Sequence, residues 1–500
     1  MSIEQRFMDY VKKMSAYNEA LSVLYWDMRT GAPKKGLDRR SETVGVLSGE
    51  LYRMSTSNEL DQMLTQLEEQ RDELSPLISK TVEVERKNYN LNSKIPEKEY
   101  EEYVVLLSKA ESVWEEAKEK SDFAMFAPYL ERIVETDKRF IEYWGIKDGN
   151  PYNTLLDQYE PGMTTEILDE VFADLRSKIV PLVKQIAESA NKPDTDFLAK
   201  KFAKDQQEKF SHELLKQLGY DFDAGRLDET VHPFQITLNR GDVRITTKYD
   251  ENDFRSAIFG TIHECGHALY EQNVSEELDG TPLSTGTSMG IHESQSLFYE
   301  NFIGRNENFW IHNYHLLQQH SPEQFGNVEL GDFIRAINES KPSLIRIDAD
   351  ELTYPLHIMI RYEIEKGLFN GNLQVADLPQ IWNDKYEEYL GIRPESDGEG
   401  VLQDVHWSSG LFGYFPSYAL GFLYAAQLKA AMLKDIPNFD DLCRSGDFAP
   451  ILSWLTEKVH RHGKMKEPLE ILQEATGEGL NAEHLVNHLR SKYEKVYQLN

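Results

Sequence analysis

His263 and His267 stand four residues apart in the stretch TIHECGHALY, and Glu264 directly follows the first of them. On an α-helix a four-residue step is about 400° of rotation and ~6 Å of rise, so both imidazoles face one point beside the helix. Two neutral imidazoles aimed at one point hold a Zn²⁺ ion, which brings the pKa of a water molecule down to about 7. Glu264, one residue along, is placed to accept that water's proton. The chemistry implied is hydrolysis of an amide. The competing reading is a core helix with two satisfied histidines, since Phe254, Ala257, Ile258, Ile262, Ala268 and Leu269 give this stretch an apolar body.

A catalytic zinc takes three protein ligands and keeps one position open. The third candidate is Glu293 in IHESQS, which opens the apolar run Leu297, Phe298, Phe302 and with it a second helix able to cross the first. Two imidazoles and one carboxylate are a common hydrolytic set. His292 is the competing ligand; it could also contact substrate or occupy the helix start. Gly266 is the one breaker in the first helix and marks a place where a backbone or ligand comes close. Cys265 lies about 200° around the helix from His263, so it faces away from the metal as a buried structural thiol. With Cys443 the only other cysteine, no disulfide framework is indicated.

The elements that must position these residues are mostly helical. Apolar spacing predicts helices over Ile3–Met28, Ser41–Met54, Leu60–Asn90, Pro96 onward through Trp114, Phe126–Trp144, Thr165–Ala190 and Phe202–Leu218. Asn150–Met163, punctuated by Pro151, Pro161 and Gly162, reads as a turn-rich connection. Between Asp228 and Tyr249 the alternation in VHPFQITL and DVRITTKY predicts two strands joined by a hairpin turn at Asn239, Arg240 and Gly241. Helical spacing returns at Asn252 and is broken by a Gly- and Ser-rich loop from Asp279 to Gly290. The expectation is a mainly α protein with one small antiparallel sheet beside the zinc helix.

Five hundred residues at 40% hydrophobic content permit a large core, and length alone allows roughly two to four domains. The balance of 85 acidic against 54 basic residues, a net charge of −31, speaks against nucleic acid or an anionic membrane as partner. It fits a solvated, self-repelling acidic surface. The N-terminal MSIEQRFMDYVKK carries charges throughout and no apolar h-region, so a cytoplasmic location is expected. No run approaches 18 uninterrupted apolar residues, so no membrane span is expected.

Six signatures stand in order: HPF at His232–Phe234, DVRIT at Asp242–Thr246, HECGH at His263–His267, HESQ at His292–Gln295, IRIDAD at Ile345–Asp350 and GVLQDVHW at Gly400–Trp407. Together they span more than a third of the chain, and they resemble the thermostable carboxypeptidase (carboxypeptidase Taq) family of zinc carboxypeptidases. Weaker likeness extends to YWD at Tyr25–Asp27 and YNTLLDQYEPG at Tyr152–Gly162. The resemblance implies removal of single C-terminal residues from peptides, with broad side-chain preference and proline disfavoured. It implies a two-walled helical peptidase with a deep central groove, similar to neurolysin and angiotensin-converting enzyme, and a homodimer. On this reading residues 1–500 form one peptidase unit, with 1–205 as an N-terminal helical wall and 206–500 bearing the zinc. His263, His267 and Glu293 are implied to bind zinc, for which Co²⁺ or Mn²⁺ could substitute, and Glu264 to act as general base.

An enzyme that works from a peptide's end must sense its free carboxylate, and a planar guanidinium engages both oxygens. Arg346 matches the family's arginine motif and is expected at that carboxylate, with Arg244 as runner-up; a helix-face ion pair with Asp348 or Asp350 is the plain alternative for Arg346. Donors to the oxyanion are expected from His406 and Tyr418, whose 12-residue spacing is similar to that in neurolysin-like relatives, with Tyr414 as the alternative. His232, His292 and Gln295 complete the expected substrate contacts, the HPF and DVRIT segments lining the groove where a peptide could add as a strand. Gln403 and Asp404 are read as support for the loop carrying His406, and Asp348, Asp350 and Glu300 as candidate partners for the ligands' outer ring nitrogens. An endo-acting oligopeptidase of the same fold would not need the arginine, and a non-catalytic peptide-binding scaffold would have no use for Glu264.

Overall fold

Several helices start where a short polar side chain accepts an otherwise free backbone N–H: Ser2 from Gln5, Ser57 from Leu60, Ser75 from Ile78, Thr164 from Ile167 and Ser288 from Ile291. The computed structural model describes residues 1–499. Its first four helices, α1 (Ile3–Arg29), α2 (Leu37–Ser55), α3 (Asn58–Glu69) and α4 (Pro76–Ser93), pack together. They have a small core of their own, built on Phe7, Val11, Met14, Leu60, Leu64, Leu67 and Val82. The single helix expected over Leu60–Asn90 is split, because proline cannot continue a helical ladder; Pro76 sits instead in the first turn of α4.

Next come α5 (Glu97–Lys120), α6 (Phe123–Trp144), α7 (Pro151–Tyr159), α8 (Thr165–Ala187) and α9 (Lys204–Leu218). The turn-rich connection expected from residue 150 is largely helix α7: Asn150 caps it by accepting from the Tyr152 N–H, and Pro151 again occupies a first turn. Only Glu160–Met163 forms the turn, with Gly162 at φ +81°.

The sheet corrects the expectation of a purely antiparallel one. Strands β2 (Gln235–Asn239) and β3 (Asp242–Thr247) form the anticipated hairpin, with Gln235 opposite Ile245 and Thr237 opposite Val243. A third strand, β1 (Leu227–Glu229), pairs parallel to β3, giving a mixed sheet in the order β1-β3-β2. At three residues, β1 is too short to show alternation in the sequence. Its parallel partner is the second strand of the hairpin, reached only after the chain has passed through β2, so only the tertiary fold brings the two together.

The remaining helices are α10 (Phe254–Gln272), α11 (Met289–Leu297), α12 (Glu307–His320), α13 (Pro322–Phe325), α14 (Leu330–Ile337), α15 (Tyr354–Phe369), α16 (Leu378–Leu390), α17 (Pro416–Asp435), α18 (Phe439–Ser445), α19 (Ala449–Lys458), α20 (Pro468–Thr476) and α21 (Glu483–Tyr497). A π-helical segment, Phe298–Gly304, continues α11. α10, α15 and α17 are apolar on nearly every side and run through the main core, as an all-round hydrophobic helix must. No helix among the described residues is long and apolar enough to cross a membrane.

Candidate active site

α10 carries both histidines, and α11 crosses it at Gly266. A Cβ on Gly266 would lie 2.4 Å from the Gln295 carbonyl oxygen and 2.6 Å from the Ser296 Cα, so the crossing requires glycine. On its other side α11 meets α17 at Gly421, where a Cβ would come within 2.6 Å of the Glu293 Cγ. The start of α11 is tied down by Glu160, whose carboxylate accepts from the Gly290 N–H at 2.9 Å, the Ser288 hydroxyl at 3.0 Å and the Tyr424 hydroxyl at 2.9 Å. Burial pushes the Glu160 carboxyl up to about 7, even against these three donors.

This clamping delivers Glu293 to the histidines. His267 Nε2 lies 3.5 Å and His263 Nε2 3.9 Å from Glu293 Oε2, and the three donor atoms fall within 4.8 Å of one another. The outer nitrogens are occupied. His263 Nδ1–H donates to Glu300 on the π-helical segment at 3.0 Å, and Glu300 is held in turn by Arg305 at 3.1 Å. His267 Nδ1 meets His292 Nδ1 at 2.6 Å, while His292 Nε2 meets Glu271 at 2.9 Å. Since a carboxylate only accepts, His292 carries its proton on Nε2, and its Nδ1 lone pair accepts from His267 Nδ1–H. Both inner Nε2 lone pairs are thereby left for a cation.

The electrostatics suit such a cation. Burial works against a charge on His263, yet Glu300, Glu293 and Glu264 hold its pKa up at about 10, the mark of a spot that attracts positive charge. At His267 burial, joined by the neighbouring His292 and His263, outweighs Glu293 and lowers the pKa to about 4, so this ring stays neutral. Two neutral-capable imidazoles and a carboxylate, each fixed from behind, fit a divalent metal of the zinc type.

The site opens into a cavity of about 960 Å³ lined from β2, α10, α11, the π-helical segment, the 346–351 loop, α15 and α17. Glu264 lines it, and among the described residues its carboxylate has no hydrogen-bond partner; burial raises it to about 7. Arg346 lines the same cavity. Its Nε and Nη2 donate to Asp404, at 2.9 Å for the Nη2–Oδ1 contact, its Nη1 donates to the Tyr354 hydroxyl at 2.7 Å, and Phe415 and Tyr418 flank the guanidinium.

The family profile of carboxypeptidase Taq (M32) metallopeptidases matches residues 6–493. The chain belongs to that family. It is 59% identical over 496 residues to carboxypeptidase 1 of Bacillus subtilis, covering 99% of each chain, and 40% identical to thermostable carboxypeptidase 1 of Thermus thermophilus, covering 97% of each. The crystal structure of the carboxypeptidase of this family from Deinococcus radiodurans superimposes with a TM-score of 0.96 at 36% identity over the whole of both chains. The protein is therefore a metal-dependent carboxypeptidase with a mainly helical fold.

Within this metallocarboxypeptidase the other expected contacts divide. Tyr418 and its alternative Tyr414 line the cavity, their hydroxyls 3.5 Å apart. His292 lines it too, but its Nδ1 is spent on His267. Four residues do not reach the lining. His232 is exposed outside it, one residue short of Pro233–Thr237, which do line the cavity. Arg244 is taken up by Asp242 at 2.7 and 2.6 Å and lies over Trp26. Gln295 is buried beneath α11, where its Oε1 receives His460 at 2.8 Å. His406 packs behind Tyr414 and Phe415, and burial among Arg361 and Arg346 lowers its pKa to about 3. For Arg346 the ion-pair partner is neither Asp348 nor Asp350; Asp350 instead accepts from Ser340, Lys341 and Thr353. Tyr354 escaped the sequence reading, its only signal being a tyrosine at the first turn of α15. Cys265 is buried and free, as its side of the helix implied.

Proposed function

We propose that this metallocarboxypeptidase releases single residues from peptide C-termini, with Zn²⁺ held by His263, His267 and Glu293 and Co²⁺ or Mn²⁺ able to take the same ligands. The observation that carries this reading is the presence of Arg346 in the cavity of the three convergent donors, with N–H groups to spare. Of its five donors, Nε, one on Nη2 and one on Nη1 are engaged by Asp404 and Tyr354, which leaves one on each terminal nitrogen. Two such donors match the two oxygens of a terminal carboxylate. Asp404, which Arg361 also holds, keeps the guanidinium from swinging away.

His263, His267 and Glu293 would hold the metal ion, which would supply polarisation of the scissile carbonyl and acidification of a water molecule. Glu264 takes the water's proton on its free carboxylate and hands it to the leaving nitrogen, a task that suits a carboxyl raised toward neutral pH. Tyr418, with Tyr414 as the alternative, donates its hydroxyl to the developing oxyanion; burial keeps both phenols protonated. His406 acts only through Tyr414, against which it stacks. Edge strand β2 offers backbone groups to an extended peptide.

A cavity of about 960 Å³ supports broad side-chain preference. Reduced action on proline, a homodimer and a cytoplasmic location rest on the family likeness and the sequence. Residues 1–205 act as a wall and 206–500 as the metal-bearing part, since every residue lining the cavity comes from the latter. The test is a mass-spectrometric time course on one peptide and its C-terminally amidated twin, with metal-loaded protein, chelated protein and Glu264→Gln. Stepwise shortening of the free acid alone, stopped by chelation and by the variant, is expected; internal cuts in both peptides would instead mark an oligopeptidase.

A further inference from the structure

A second cavity, of about 450 Å³, lies between α1, α2 and α4 on one side and the Thr281–Thr285 loop on the other. It adjoins the catalytic cavity, because Thr285 lines both. Thr285 also donates to Glu271, at the far end of the chain that runs from His267 through His292. The second cavity thus begins where the support of the metal site ends.

One residue in it has no structural task. Glu85 on α4 is 7% exposed, lines the cavity, and among the described residues accepts no hydrogen bond and joins no ion pair. Burial raises its carboxyl to about 7, and the charge of Lys464 offsets this only in part. A carboxylate buried without a partner is costly to keep charged unless something completes it. Among the described residues no lysine, arginine or histidine lines the cavity; its other polar lining includes the hydroxyls of Ser15 and Ser55 and the amides of Asn18, Asn88 and Asn92, all able to accept from N–H. One negative charge in a cavity whose other polar lining is neutral and able to accept fits a compact ammonium, with its three donors. It does not fit Ca²⁺ or Mg²⁺, which call for more than one carboxylate or a shell of waters.

We infer that the Glu85 cavity is a distal subsite for an alkylammonium group of the peptide substrate, either its N-terminal amine or a lysine side chain upstream of the cleaved bond. The inference rests on the carboxypeptidase reading: a peptide whose terminal carboxylate is at Arg346 leaves the metal site with its upstream end free to reach past Thr285. Because the cavity is shared between α1–α4 and the main body, an occupied subsite also fastens these two parts together.

The experiment uses a series of short peptides of increasing length. Each is made with a free and an acetylated N-terminus, and with lysine or norleucine near that end. Values of kcat/KM are measured on the metal-loaded wild type and on Glu85→Gln, and Kd on Glu264→Gln and on the double variant. At one or two lengths the wild type is expected to favour the cationic form about tenfold, which corresponds to about 1.4 kcal/mol, and Glu85→Gln to bring that ratio to about one. Sensitivity to acetylation alone identifies the terminal amine, and sensitivity to norleucine alone the lysine. A wild-type ratio near one at every length, or a ratio that survives in Glu85→Gln, overturns the inference. If no peptide is shortened but the Kd ratio responds to Glu85, the catalytic reading fails and the subsite stands. Glu85→Gln should melt at or above the wild-type temperature, since it removes an unpaired buried charge; a clear drop would mean that Glu85 has a structural partner and would also overturn the subsite.

Discussion

The metal helices and the α1–α4 layer are held by opposite means. Around α11 every degree of freedom is stopped: Gly266 and Gly421 let two helices close on it, Glu160 ties its first turn, and Glu300 and His292 fix the imidazoles it faces. The α1–α4 layer has its own small core and reaches the rest of the chain in part through polar contacts, such as Lys80 to Glu467, Lys87 to Asp157 and Trp144 to the Leu91 carbonyl. Such contacts, partly solvated, are worth little each. Precision of a few tenths of an ångström is needed at the metal site and not in the α1–α4 layer. Regions with few shared apolar contacts open first.

The sharpest break in that comparison is Glu264→Gln, which removes the proposed proton carrier and leaves the clamp intact. Turnover should fall by about 10³-fold or more with metal content unchanged; steady-state kinetics beside metal analysis checks this. Arg346→Ala comes next. It should cost about 10²-fold or more in kcat/KM on free-acid peptides, in line with roughly 2–5 kcal/mol for a desolvated charge pair, and should erase the preference over amidated twins.

Two substitutions of intermediate effect set the regions side by side. Glu300→Gln weakens the hold on His263 and should lower metal affinity by about 10–100-fold, read by competition with a chelator. Leu64→Ala, in the small core, should cost about 2–5 kcal/mol of local stability while leaving metal affinity alone. Equal loss of metal affinity in both would show that the layer and the clamp are one cooperative unit.

The smallest effect concerns pH. Burial raises the Asp137 carboxyl on α6 to about 8, against the donor of Tyr103 at 2.6 Å. A carboxyl raised in the fold stabilises it most below its unfolded value, near 4, and that contribution is lost as pH rises through about 8. The melting temperature should therefore decline from about pH 5 to 9 by an amount that Asp137→Asn removes. A slope unchanged in the variant would exclude Asp137 as its source.

How much could be read from the sequence follows from distance along the chain. His263, Glu264 and His267 were legible because a helix alone sets their directions, and Gly266 because a lone breaker in an apolar helix signals close approach. Arg346 was legible as a charge and not as a geometry: its partner Asp404 lies 58 residues away. The YNTLLDQYEPG stretch had likeness without a task until Glu160 was seen to reach 130 residues forward to Gly290. His232, Arg244, Gln295 and His406 were drawn toward substrate by their place in motifs, and the fold turns each elsewhere. A motif constrains neighbours in sequence and is silent on which side of a wall a side chain emerges.

By itself, then, the sequence determined the helical class, the two imidazoles with the adjacent Glu264 carboxylate and the next-helix Glu293, because these follow from 3.6 residues per turn and from apolar spacing. Only the tertiary structure decided the tautomers of His263, His267 and His292, the setting of the guanidinium, the third strand and a Glu85 without a partner among the described residues. Each of those depends on which distant groups are buried together, and burial of charge is a property of the packed molecule and of no segment taken alone.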